Sequence, residues 1–134
     1  MPRSTTLPAY IALASVELFL AMLMAGCASP GASFADDGAL RAELLQRMEV
    51  DQAVRKEAMA HHSSGSPMPD ELAERWRAID TDNTAWIARV LDERGWPARS
   101  AVGPEGATAV FLLVQHADHD PDFQRRALPL LAAA

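Results

Sequence analysis

The sequence predicts an all-α protein, a small bundle of about four helices that follows an N-terminal signal or anchor segment. Three observations carry this. Past residue 38 the apolar residues recur three and four apart, the spacing of one helix face. Turn-forming stretches, "HHSSGSPMPD", "ARSAVGPEG" and the pair Asp120-Pro121, cut that pattern into pieces of helical length. The chain has 134 residues, 49% hydrophobic and 22% charged, which suits one domain around one core.

Residues 1–26 read as a signal peptide or membrane anchor. Arg3 precedes the apolar run "LPAYIALASVELFLAMLMAG", which ends in small residues as a secretory signal does. "LMAGC" resembles a bacterial lipobox, in which Cys27 becomes the lipidated first residue after cleavage. Two features depart from that pattern. Met24 stands where Leu or Val is usual, and Glu17 puts a charge in the apolar core, at a cost of roughly 2.5–3.5 kcal/mol at mid-membrane. The run is also long enough to span a bilayer, so an uncleaved anchor is one alternative and a cytoplasmic chain with an apolar start is another. The expectation is export to the cell envelope as a membrane-anchored lipoprotein. Residues 27–38, small and turn-rich, form a tether, and residues 39–134 form the helical domain.

The charge bounds the partners. With 12 basic against 18 acidic residues the net charge is -6, and no Lys/Arg cluster exceeds a pair such as Arg125-Arg126, so no nucleic-acid partner is expected. A single cysteine excludes an intrachain disulfide and a Cys-rich zinc site.

Within the domain, 39–60 holds good helix formers with Leu40, Leu44 and Met48 at helical spacing, and makes the first helix. Asp70 caps the second helix, whose stripe is Leu72, Trp76, Ile79, Trp86, Ile87 and Val90; Gly95 ends it and Pro97 prevents its continuation. "ARSAVGPEG" is a loop. Pro104-Glu105 opens a third helix, apolar on all sides from Ala107 to Val114 and therefore central, with a buried strand as the alternative for "AVFLLV". It ends near Ala117, and Asp120 with Pro121 behind it starts the fourth.

Several polar residues interrupt the apolar stripes. At ~100° per residue the line through Leu40, Leu44 and Met48 continues through Asp51 and Arg55, and reaches His62 if the helix runs on. Asn83 falls inside the stripe of the second helix and Asp80 at its edge. Buried charges need partners. Either these residues form a structural network, or Asp51, Gln52, Arg55, Asp80, Asn83, Gln115, His116 and Asp118 line a polar cleft closed by Trp96. Such a cleft would hold a small polar ligand, with Arg55 gripping an anionic group through two N–H donors. His116 with Asp118 and either Asp51 or Asp80 is the one candidate metal set. As a general base His116 would be oriented by Asp118 or Asp51; a serine nucleophile would have to be Ser63 or Ser100. His61, His62 and His119 read as solvated. No HExxH, GxSxG, phosphate-binding loop or dinucleotide glycine pattern occurs, and no cofactor is implied.

"DQAVR", "IDTDNT", "RGWPARSAVG" and "LLVQHADHDPDFQ", in that order over residues 51–124, resemble an uncharacterised bacterial family, domain of unknown function 6624. The resemblance implies a mostly helical fold, export signals in some members, and motif positions at Asp51, Gln52, Arg55, Asp80, Asn83, Trp96, Gln115, His116, Asp118 and Asp120. The family pattern continues past the fourth helix into a basic, Tyr-containing segment, whereas this chain stops at "LPLLAAA", so a C-terminally truncated domain with part of its site missing is expected.

Three functions follow: first, as the one requiring the fewest unproven roles, an anchored helical domain binding a small polar ligand or a protein partner; as an alternative, a hydrolase-type enzyme using His116 as base with or without a metal; and as a second alternative, a purely structural or interaction domain.

Overall fold

A computed structural model describes residues 36–134. The anchor segment, Cys27 and most of the tether lie outside the described residues. Four helices form the domain: α1 (Asp37–Ser63), α2 (Asp70–Arg94), α3 (Arg99–Gln115) and α4 (Pro121–Ala132). There is no strand among the described residues, so "AVFLLV" is helical. The described residues 36–134 belong to one compact unit.

α1 begins inside the expected tether. Asp36 explains this, because its carboxylate accepts the Ala39 amide at 2.6 Å while Asp37 places a negative charge in the first turn. α2 begins one residue earlier than a cap at Asp70 requires: Pro69 is the flanking residue, and Asp70 is the first helical one, where its charge suits the dipole. Gly95, at φ 70°, ends α2 as expected.

"ARSAVGPEG" is not wholly a loop. Arg99–Val102 forms a helical turn that buries Val102, and the break comes at Gly103, with φ 71° and ψ 172°. Only glycine adopts that backbone without strain, and Arg41, whose Nε donates to the Val102 carbonyl at 3.1 Å, approaches the same point. Gly103→Ala should therefore cost about 1–3 kcal/mol. A urea midpoint equal to that of the unaltered protein would show that the kink relaxes.

α3 packs against α1 and α2, and α4 rests on α2 and α3. The main core joins Leu40 and Leu44 of α1, Ile87 and Val90 of α2, Val110 and Leu113 of α3, and Phe123 of α4. A smaller cluster of Val54, Ala58 and Leu72 closes the far end of the α1–α2 pair. α3 is not buried on all sides, since Phe111 is 47% exposed in a groove beside the short α4. α1 does reach past His62, but His62 is exposed there, beyond the small cluster.

Candidate functional site

Three elements bring four polar side chains together. Asp51 and Arg55 lie one turn apart on α1, Asp80 faces them from α2, and His116 is the first residue beyond α3. Because α3 packs on α1, its C-terminal end delivers His116 onto the Asp51 turn. Asp51 has no exposed surface, while the side chains of Arg55, Asp80 and His116 are each less than a fifth exposed.

Asp51 is the hub. Its carboxylate accepts from Gln52 Nε2 at 2.9 Å and from Arg55 Nε at 3.2 Å, and lies 2.9 Å from His116 Nδ1. Arg55 also donates to Asp80 through a terminal nitrogen at 2.7 Å. Its guanidinium stacks over Trp76, 4.9 Å from the ring centroid.

The proton on His116 follows from these distances. Nδ1 is 2.9 Å from both Asp51 Oδ2 and Arg55 Nε, and one nitrogen cannot donate to the first and accept from the second at once. A buried carboxylate with both oxygens within 3.1 Å of Nδ1 requires the proton between them. Nδ1–H therefore donates to Asp51, and Arg55 Nε directs its hydrogen to the same carboxylate. Nε2 is left as an acceptor with no hydrogen-bond partner among the described residues.

Burial raises the Asp80 carboxyl above its ordinary 3.8 despite the opposing pull of Arg55, and Asp51 pushes the same way as burial. The folded protein thus holds this proton more tightly than the unfolded chain. The stability it contributes is present below the ordinary value and is lost as pH rises through the raised one. Asp80→Asn should flatten that part of the stability-against-pH curve. Melting curves that fall in parallel for both proteins through the acid range would contradict it.

The other expected residues are distributed elsewhere. Asn83 is buried one turn along α2 and accepts from Arg47 through Oδ1 at 3.0 Å; its Nδ2 has no partner among the described residues. Arg47 also binds Asp82 at 2.7 Å and stacks on Trp86. Trp96 does not close the cluster. It lines an apolar groove between α3 and α4 with Phe111, Val114, Gln115 and Leu128. Asp118 is exposed on the following turn, where Gln124 reaches it at 3.4 Å while also bonding the last carbonyls of α3. Asp120 caps α4 through the Phe123 amide, as its sequence position indicated. Between Asp118 and Asp51 as partners of His116, the structure selects Asp51.

Two expectations of chemistry change. Arg55 has its Nε and a terminal nitrogen already engaged by two carboxylates, so it is not a free fork for an anion. Among the described residues, no group of three or more His, Cys, Asp or Glu side chains is placed to hold a metal ion. The centre of the cluster is filled by the guanidinium instead. The sequence reading missed Trp76 as a site residue by assigning it to the core. Its position four residues before Asp80 on α2 was the available signal.

No curated protein and no solved structure matches the chain. The model of one family, described as a family of unknown function, matches residues 38–134, which takes in the whole Asp51–His116 cluster. The chain therefore belongs to that family, DUF6624.

Proposed function

We propose that the Asp51–Arg55–Asp80–His116 cluster binds a small polar molecule, which gives a hydroxyl or amine hydrogen to His116 Nε2. The observation that carries this is the asymmetry of the imidazole: Nδ1 is held by a fully buried carboxylate, and Nε2 has no hydrogen-bond partner among the described residues in a side chain that is 18% exposed. The reading also makes the domain an exported one tethered to the membrane at Cys27. Its support is the apolar run of residues 7–26, with Arg3 before it and small residues at its end.

One observation favours proton transfer as a second reading. Two carboxylates face one guanidinium beside His116, and this excess negative charge stabilises an imidazolium after Nε2 has taken a proton. A hydrolase-type reaction with His116 as base uses that feature.

Both readings are tested on Ser33–Ala134 by titrating small alcohols, polyols, amines and amino acids while following the His116 ring signals by NMR, and by assaying a panel of activated esters and amides. Binding predicts saturable shifts at His116 that His116→Gln abolishes. Catalysis predicts, in addition, turnover that His116→Gln reduces to the buffer rate at an unchanged melting temperature. Ring signals that no compound moves would overturn the proposal.

A further inference from the structure

α1 continues past Arg55 with Ala58, Met59 and His62, one and two turns further along toward the connection to α2. With Pro67, Met68 and Trp76 these residues line a groove of about 560 Å³. Met59 and Met68 are 60% and 41% exposed, so two thioether side chains meet water at the same place. Unbranched thioethers repack readily around apolar guests, and exposed methionines are common on surfaces that accept them.

Trp76 belongs to both the groove and the polar cluster. Arg55 lies over its ring, and the Trp76 side chain forms part of the groove wall. The two features therefore adjoin through one side chain. Along α1 the seven residue steps from Arg55 to His62 cover about 10 Å, the reach of a medium-length alkyl chain.

Charge selects the head group. Arg55 is opposed by both Asp51 and Asp80, so one carboxylate is in excess, and His116 Nε2 accepts rather than donates. An anionic head would meet excess negative charge and an acceptor nitrogen. An ammonium meets a carboxylate and an acceptor, and it favours the ionised form of Asp80 that burial disfavours.

From this juxtaposition we infer that the site takes an amphipathic amine, its ammonium between Asp80 and His116 Nε2 and its alkyl chain laid past Trp76 into the groove of Met59 and Met68. The inference rests on the reading of His116 Nε2 as the ligand's acceptor and adds the class of ligand.

The test is an NMR titration of Ser33–Ala134 near neutral pH with propylamine, hexylamine, hexanol and hexanoate. It follows the Trp76 indole N–H, assigned through Trp76→Phe, and the His116 ring. Hexylamine should move both signals together and bind at least roughly tenfold more tightly than propylamine, because each buried methylene is worth up to about fourfold. It should also exceed hexanoate by roughly tenfold. Asp80→Asn should erase the preference for amine over acid. Met59→Gln, at an exposed position, should weaken hexylamine and leave propylamine unaffected. Equal binding of hexylamine and hexanoate overturns the choice of head group, and equal binding of hexylamine and propylamine overturns the role of the groove. In either case a response at His116 leaves the polar site standing. A His116 ring that no compound perturbs removes the site and this inference together.

Discussion

Arg55→Ala is expected to lower the unfolding free energy by about 3–5 kcal/mol, the range for removing one partner from a buried ion pair. The cause is what the substitution leaves behind. Asp51, fully buried, keeps only Gln52 and His116, and Asp80 loses its cation. The stack on Trp76 goes as well. Urea denaturation of Ser33–Ala134 measures the loss, and Arg55→Lys calibrates it, since lysine restores the charge but cannot span Asp51 and Asp80 with a planar fork. A loss under about 1 kcal/mol, the value of a surface pair, would mean that water reaches Asp51 and that the cluster is screened.

Asp51→Asn should act on chemistry more than on folding. The amide has nearly the carboxylate's volume, and its oxygen can still accept from Arg55 or from His116 Nδ1. It cannot neutralise an imidazolium, so any turnover that uses His116 as base should fall by about 10²–10⁴-fold, the usual contribution of positioned acid–base catalysis. The fall should appear in kcat rather than in KM, because the lost interaction strengthens only when the proton arrives. Nitrogen chemical shifts of His116 report the same change without a substrate: Nδ1–H in the unaltered protein, and a mixture of tautomers in the variant. If the variant keeps a pure Nδ1–H imidazole and full turnover, Asp51 is a structural residue and His116 owes its orientation to packing.

The line that runs from Leu40 through Asp51 to Arg55 was legible in the sequence, because helical periodicity is a property of consecutive residues. So were the cap at Asp120 and the break around Gly103-Pro104. The start of α2 at Asp70 instead of one residue later, and the helical turn at Arg99–Val102, were not, since both depend on backbone choices that neighbouring helices stabilise. Gln115 adjoins His116 in the sequence, yet together with Trp96 it lines a separate groove between α3 and α4. Asp118, two residues from His116, lies beyond the helix end and turns to Gln124. Proximity along the chain says little about direction once a helix has ended.

The sequence by itself determined the all-α class, the order of the four helices, and the presence of charges on faces that had to be buried. Those are consequences of local spacing and of the cost of dehydrating a charge. Only the tertiary structure decided which charges meet. His116 is 61 residues from Arg55 and 65 from Asp51 along the chain, and the pairing arises because α3 packs on α1 at a height that puts the end of one beside the middle of the other. That height is set in the core that Val110 and Leu113 of α3 share with Leu40 and Leu44 of α1, and packing of that kind has no periodic signature in a single sequence.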